Sequence, residues 1–194
     1  MFQLKQWINW RPETLPGQAK PAKIPCANGY RIDPMDPARW MTLEEARAID
    51  PQHVAFVLTE ADPYFCIDLD HAWNGREWSA LATETLAAFP GAYVEVSYSG
   101  DGLHVVGRGA PPAGYGTRGA GVELYAHSRM VVLTGTHAQG SPDQPCDLSE
   151  WAARHLKAQE VLPALAWTSG PVAEASPIRD DEKLIERMLE RFRQ

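Results

Sequence analysis

The stretch Phe65-Cys66-Ile67-Asp68-Leu69-Asp70 is an apolar strand pattern that ends in two carboxylates. Because strand side chains alternate between faces, Asp68 and Asp70 should share one face, with Ile67 and Leu69 on the other. Two carboxylates held side by side repel each other. Mg²⁺ or Mn²⁺ would relieve that repulsion, because these cations prefer oxygen ligands. The pattern therefore predicts a metal site at the two aspartates. The alternative is a strand that ends in two solvated acids.

A second segment, farther along the chain, carries polar groups that could complete this site. Ser97-Tyr98-Ser99-Gly100-Asp101-Gly102-Leu103-His104 combines a glycine-rich turn with a histidine that begins the next strand. The backbone amides near Gly100 and Gly102 and the hydroxyl of Ser99 could contact an anion, with His104 facing the same pocket. The alternative is an ordinary hairpin turn followed by an exposed histidine.

A third acid lies within the short apolar strand Gly121-Val122-Glu123-Leu124-Tyr125. A carboxylate in such a strand needs a partner, and a metal ion shared with Asp68 and Asp70 would be one. The alternative is that Glu123 occupies a solvent-facing position of an alternating strand. Arg129 could reach a phosphate, or it is a surface arginine beside a hairpin.

The remaining pattern predicts α+β architecture. Strand patterns occupy residues 53–59, 64–70, 92–97, 103–108, 122–125 and 130–133. We expect a turn to join the first two of these strands, and the last two to form a hairpin-like pair. Residues 109–121 are rich in Gly and Pro and are predicted to be a loop. This order of elements implies an α+β domain with a mixed or antiparallel sheet.

Three helices are predicted. Thr42-Leu43-Glu44-Glu45 is a capping-box pattern that begins a helix to about Ile49, and Asp147-Leu148-Ser149-Glu150 repeats it before a helix to about His155. Residues 78–89 have helical spacing. The candidates for the buried stripe of this helix are Trp78, Leu81, Leu86 and Phe89.

The two ends of the sequence differ in composition from its middle. The first 40 residues are rich in Trp, Pro and Lys, which favours an ordered, extended segment packed by aromatic side chains. Within it, Lys20 and Lys23 could contact a phosphate, or they belong to a solvated basic stretch. Residues 1–160 are predicted to form one domain, 161–178 a linker and 179–194 an amphipathic helix that could begin a C-terminal helical domain.

Bulk composition limits the class of protein. The 194 residues are 44% hydrophobic with no run of 18 apolar residues and no signal-peptide pattern, so we expect a cytoplasmic protein without a membrane span. The net charge of −7 argues against nonspecific coating of duplex nucleic acid, which depends on many Lys and Arg contacts. The three cysteines are widely spaced, which indicates free thiols, with Cys66 in the core.

The ordered set of motifs resembles the three motifs of the archaeo-eukaryotic primase superfamily, and most closely the bifunctional primase-polymerase domains of phages and plasmids. The matching segments are Asp68-x-Asp70, Ser97-x-Ser99-Gly100-x-Gly102-x-His104 and Val122-Glu123-Leu124-Tyr125 before Val132-Leu133-Thr134-Gly135. The N-terminal segments Gln6-Trp7-x-x-Trp10-Arg11, Lys23-Ile24-Pro25 and Asp36-Pro37-x-x-Trp40 are also similar to that subfamily. The resemblance covers about residues 1 to 155.

The resemblance implies a catalytic core with an RRM-like sheet unit flanked by helices. It implies that Asp68, Asp70 and Glu123 hold Mg²⁺ or Mn²⁺, and that Ser99 and His104 hold the incoming triphosphate. The expected activity is template-dependent nucleotidyl transfer in phage or plasmid-type replication, by a two-metal mechanism. Single-stranded DNA template, primer, NTPs or dNTPs and a fused or separate helicase are the expected partners.

Other functions fit part of the same pattern. A metal-dependent nuclease or phosphodiesterase uses clustered acids with water as the nucleophile. A D-x-D glycosyltransferase explains neither the histidine turn nor Glu123. A catalytically silent nucleotide- or DNA-binding module of a helicase would not need three acids. The products of the reaction separate these hypotheses.

Overall fold

The computed structural model describes residues 1–18 and 20–158, so the predicted linker and amphipathic C-terminal helix lie outside the described residues. The strands are β1 (Trp7–Glu13), β2 (Ala22–Ala27), β3 (Tyr30–Arg31), β4 (Val54–Leu58), β5 (Tyr64–Leu69), β6 (Tyr93–Val96), β7 (Leu103–Arg108), β8 (Tyr115–Gly119), β9 (Val122–Tyr125), β10 (Arg129–Val132) and β11 (Leu156–Ala158). The helices are α1 (Leu43–Ile49), α2 (Ala80–Ala88) and α3 (Ser149–His155), with a 3-10 turn at Pro37–Arg39. The predicted α+β class is confirmed.

The strands form two sheets rather than one. Sheet A has the order β10-β4-β1-β2-β3, and sheet B has the order β11-β8-β9-β5-β7-β6. Every ladder between these strands is antiparallel. The ordered, extended N-terminal segment is confirmed, because it supplies β1 to β3 of sheet A.

The side-chain alternation of β5 determines how the two sheets pack. Phe65, Ile67 and Leu69 are buried against residues of α2 and α3, whereas Tyr64 and Cys66 are buried against sheet A. Burial of each such large apolar side chain is worth about 1.5–3 kcal/mol, so a one-residue slip of β5 would be strongly unfavourable. The residues that follow Cys66 on the sheet A side are therefore fixed in position, and Asp68 is one of them.

Helix boundaries follow local capping. Thr42 and Glu45 form the predicted reciprocal capping box at the start of α1, and the Ser79 hydroxyl accepts from the Ala82 amide at the start of α2. The capping box predicted at Asp147 is wrong. Asp147 Oδ1 instead accepts from the Ser149 amide two residues on, at 2.9 Å, and α3 begins without a side-chain cap of that kind.

The buried stripe of α2 differs from the prediction. Ala82 and Thr85 are its fully buried residues, with Phe89 just beyond its end, whereas Trp78, Leu81 and Leu86 are only partly buried against the same core. On this inward face the Trp151 indole of α3 donates to the Thr85 hydroxyl at 3.1 Å. None of the helices in the described ranges is long and apolar enough to cross a membrane.

One prediction about strand pairing is wrong. β9 and β10 do not form a hairpin, because β9 pairs with β5 and β8 in sheet B while β10 pairs with β4 in sheet A. The predicted turn between β4 and β5 is confirmed, with the Asp62 amide donating to the Thr59 carbonyl at 3.1 Å, but the two strands it joins belong to different sheets. β4 is buried along its whole length and is a central strand of sheet A, so it needs a partner on each side, and β10 provides one of them.

The predicted loop at residues 109–121 contains strand β8. Its two glycines, Gly116 and Gly119, obscure the strand pattern, and Gly119 is required by a close backbone contact. A side chain at this position would collide with the backbone carbonyl of His155, which precedes the paired strand β11. A glycine within a strand often marks such a close approach of two backbones.

Candidate functional site

Five charged side chains form a row across the face of sheet B that is turned toward sheet A. Cross-strand register pairs Glu95 with His104, His104 with Asp68, Asp68 with Glu123, and Glu123 with Arg118. Residues directly opposite each other on antiparallel strands share a face, with Cβ atoms about 4.5–5.5 Å apart. We call these five residues the charged row. The structure thus brings three of the predicted site residues together from three different strands.

Asp68 lies at the centre of the charged row. Its side chain is only 24% exposed, and burial raises the pKa of its carboxyl group, with the nearby charge of Asp70 acting in the same direction. The His104 ring opposes this shift, with its Nε2 atom 3.6 Å from Asp68 Oδ1. An ionised Asp68 is therefore costly in the free protein, and a bound cation would remove that cost.

Asp70 follows the last residue of β5 and is exposed. Because Asp70 lies beyond the strand, in a turn, strand alternation does not fix the direction of its side chain, and the shared face with Asp68 stays a prediction. Asp70 itself stands outside the charged row, at the end of the strand. Its influence on the Asp68 pKa shows that the two charges are close enough to interact.

His104 is held by a buried carboxylate that sequence reasoning missed. Its Nδ1 atom lies 2.9 Å from Oε1 of Glu95, which is only 1% exposed. The same oxygen accepts from the Thr134 amide at 2.9 Å, while Oε2 accepts from the Tyr93 hydroxyl and the Gly135 amide, both at 2.7 Å. Burial alone would raise the pKa of Glu95, but the hydrogen bonds from His104, Tyr93 and Thr134 hold it below its ordinary value.

Glu123 is already engaged in the free protein. The Arg118 Nε atom is 2.8 Å from its Oε1 atom, and the Tyr125 hydroxyl donates to Oε2. The Arg129 guanidinium lies 4.4 Å above the Tyr125 ring and also donates to the Tyr125 hydroxyl at 3.1 Å. Arg118 is well exposed, so water screens its ion pair and a competing cation can replace it.

The turn predicted to contact an anion uses some of its own donors. The Gly100 amide donates to the Ser97 carbonyl at 3.0 Å, and the Ser99 hydroxyl donates to Asp101. A Cβ atom on Gly102 would lie 2.6 Å from the carbonyl oxygen of Leu69, so only glycine fits where the turn meets the end of β5. The turn therefore lies against the strand of the two aspartates, but in this conformation the Gly100 amide and the Ser99 hydroxyl point within the turn.

A cavity of about 520 Å³ lies beside the charged row, lined by residues of both sheets. Asp68 and His104 form part of its wall, and Lys23 of β2 and Arg129 of β10 add two cationic groups. The other lining residues are Pro21, Pro25, Pro34, Tyr125, Ser128, Met130, Val131 and Val132. Opposite charges on facing walls suit a ligand that carries both phosphate and metal.

The three predicted acidic ligands have the oxygen atoms that a hard divalent ion prefers, but in this conformation they do not surround a site for one. Asp68, Asp70 and Glu123 offer only carboxylate oxygens, the ligands that Mg²⁺ and Mn²⁺ prefer. Within residues 1–18 and 20–158, no three acidic, histidine or cysteine side chains are close enough to surround a metal ion. Glu123 faces Arg118 in this conformation, so it would have to exchange that partner for a cation.

Comparison with known proteins now bears on this site. No protein-family model matches the chain. The chain is 31% identical, over 204 residues, to a protein named DNA primase-polymerase from Nitratiruptor phage NrS-1. The match covers 94% of this chain and 26% of the phage protein, so the chain spans about a quarter of the length of that relative. This similarity over nearly the whole chain supports the assignment of the chain to the primase-polymerase family.

Proposed function

We propose that this chain is a template-dependent nucleotidyltransferase, a DNA primase-polymerase that extends or starts a strand on single-stranded DNA. One observation carries the proposal: antiparallel register aligns Glu123, Asp68 and His104 on one face, beside a cavity that also contains Lys23 and Arg129. The similarity to a phage protein of that name supports it. The phage or plasmid setting is part of the same proposal.

Asp68, Asp70 and Glu123 are the residues that would hold Mg²⁺ or Mn²⁺. When bound, two such ions lower the pKa of an attacking hydroxyl and neutralise the charge of the triphosphate and of its leaving group. The raised pKa of Asp68 supports this role, because a carboxylate that is costly to ionise alone gains most from a cation. Glu123 would release Arg118 as it turns to the ion.

The remaining residues of the site would bind and orient the nucleotide. Lys23 and Arg129 line the cavity, where their charges attract a triphosphate, and a guanidinium can form two parallel hydrogen bonds to one phosphate group. The Nε2 atom of His104 faces the cavity side of the row and would contact a phosphate oxygen. Catalysis in this scheme depends mainly on positioning and on charge neutralisation.

Gel-resolved primer extension on a single-stranded template tests the proposal. Wild-type protein is supplied with dNTPs or NTPs and with Mg²⁺ or Mn²⁺, beside the variants Asp68→Asn and Glu123→Gln. Glu44→Gln is the matched control, because Glu44 is an exposed acid on α1. We expect metal-dependent lengthening in the wild type and in Glu44→Gln, and none in the two site variants. A second reaction without primer tests initiation.

Other products would refute the proposal in distinct ways. Shortened template that depends on Asp68 would identify a metal-dependent nuclease. Metal-dependent triphosphate binding with no change in either strand would identify a silent binding module. Cooperation with a fused or separate helicase is a further proposal, and stimulation of extension on duplex DNA by an added helicase would test it.

A further inference from the structure

Glu95 is the one fully buried acid among the described residues, and the scheme above gives it no task. It lies in β6 at 1% exposure, with its carboxylate toward the row rather than toward solvent. A buried carboxylate is costly unless hydrogen bonds satisfy both of its oxygens. The structure provides four such partners, two for each oxygen.

The identity of these partners determines which ring nitrogen of His104 carries a hydrogen toward Glu95. An ionised carboxylate accepts hydrogen bonds and cannot donate them. The amides of Thr134 and Gly135 are donors, and the Tyr93 hydroxyl donates as well. The fourth partner is therefore also a donor, which means that His104 carries a proton on Nδ1 and donates this N–H as a hydrogen bond to Oε1 of Glu95.

We propose that Glu95 is a positioning residue: by accepting from Nδ1 of His104, it holds the imidazole ring so that Nε2 faces Asp68 and the cavity. The distances agree, with Nδ1 2.9 Å from Glu95 and Nε2 3.6 Å from Asp68. Without this bond the ring could rotate about its side chain and present the other nitrogen. The consequence for catalysis rests on the proposed function, whereas the ring orientation is a property of the free protein.

Glu95 also connects the ring to the other sheet. Its two amide partners belong to the segment that directly follows β10, the strand that pairs with β4 of sheet A. The Thr134 hydroxyl further donates to the carbonyl of Val96, at 2.7 Å. His104 is therefore oriented by a group that is itself fixed between β6 and the segment after β10, so it has little freedom to move.

Nuclear magnetic resonance of the full chain tests the orientation directly. In protein labelled with ¹⁵N at its six histidines, the His104 Nδ1–H proton should exchange slowly enough to be observed, and His104→Gln should delete that signal. Glu95→Met, which has no acceptor, should lose it. Tyr93→Phe is the matched control: it removes one donor from the same carboxylate without touching His104, and should retain the signal.

If Glu95→Met does not fold, Glu95→Gln still tests the inference. Glu95→Gln keeps an acceptor oxygen of the same size, but it is neutral and forms a weaker hydrogen bond. We expect the Nδ1–H resonance to move upfield in this variant. An unchanged resonance in Glu95→Gln, or a signal that persists in folded Glu95→Met, would overturn the proposal.

Kinetics separate a positioning role from a merely structural one. We expect Glu95→Met to raise the KM for the incoming nucleotide about 10- to 100-fold, the range for partners that orient ligating histidines, with a smaller change in kcat. In a His104→Gln background the same substitution should add nothing, because Glu95 acts through the ring. Additive losses would show that Glu95 acts independently of His104 and would overturn the proposal. Absence of polymerisation by wild-type protein would refute the proposed function but leave the resonance test intact.

Discussion

Replacing Asp68 by asparagine should stabilise the free protein while abolishing the proposed nucleotidyl transfer. Asp68 is mostly buried, lies directly opposite Glu123, and is two residues from Asp70. Like charges that face each other across a strand pair cost roughly 0.2–1 kcal/mol. An asparagine has nearly the same volume and no charge, but it gives up the long His104 contact of 3.6 Å and the attraction to Lys23 and Arg129. The raised pKa of Asp68 indicates that burial and the repulsion from Asp70 outweigh these attractions. We therefore expect Tm to rise by roughly 0.5–4 °C for a chain of this size.

The pH dependence identifies the cause of this gain. Because the pKa of Asp68 is raised in the folded protein, the folded state holds this proton to a higher pH than the unfolded state does. Folding stability therefore falls as the pH rises from the ordinary pKa of an aspartate through the raised one, and the cost is fully present above it. The advantage of Asp68→Asn should be absent in strong acid and should reach its full size above the raised pKa.

Urea denaturation across a pH series, without divalent ions, measures this difference. Adding Mn²⁺ should then reverse the order of stability, because a ligand at ten times its Kd stabilises the wild type by about 1.4 kcal/mol and Asp68→Asn no longer binds it well. Exposed Asp33→Asn is the control. Destabilisation by Asp68→Asn at neutral pH, or a difference that does not change with pH, would refute the reasoning.

Three other substitutions test separate parts of the site. Arg118→Gln removes an exposed ion pair worth about 0.2–1 kcal/mol. Calorimetry should therefore show that Mn²⁺ binds about 1.4- to 5-fold tighter at Glu123. Unchanged or weaker binding would mean that Arg118 does not compete with the ion. Gly102→Ala places a Cβ 2.6 Å from a backbone oxygen and should lower the free energy of unfolding, measured in urea, by about 1–3 kcal/mol. The control Gly116→Ala, whose Cβ would lie 3.7 Å from the nearest atom, should be nearly neutral. Equal losses of stability would contradict the steric argument. Arg129→Gln should raise the nucleotide KM at least about tenfold if a charged hydrogen bond worth about 1.5–3 kcal/mol is lost; an unchanged KM would exclude a phosphate contact.

Local patterns account for what the sequence could predict. The bounds of β5 and the capping box of α1 both depend on residues within a few positions of each other. Apolar alternation is equally local, and it correctly placed β6, β7 and β9. The residue roles in metal and nucleotide binding, which the residue pattern and the resemblance both indicate, stay predictions.

The wrong predictions concern partners that are distant in sequence. Nothing within β10 indicates that it joins β4 instead of β9, because an apolar strand pattern does not specify its neighbour. Glu95 has the same local signal as Glu123, an acid within an apolar strand, but its backbone donors lie 39 and 40 residues farther along the chain. β8 was missed because it contains two glycines in five residues, and composition alone cannot distinguish a glycine that serves a close backbone contact, as Gly119 does, from one in a loop.

The long-range bonds of Glu95 have a consequence for the growing polypeptide. A nascent chain that ends after β9 already contains Asp68, Asp70 and Glu123, but it lacks the amides of residues 134 and 135 that donate hydrogen bonds to the Glu95 carboxylate. We expect ribosome-stalled chains of this length to leave β6 and β7 sensitive to protease, and chains that extend past α3 to protect them. Under the proposed function, the three acids would reach their working arrangement only after residues 134 and 135 have been synthesised.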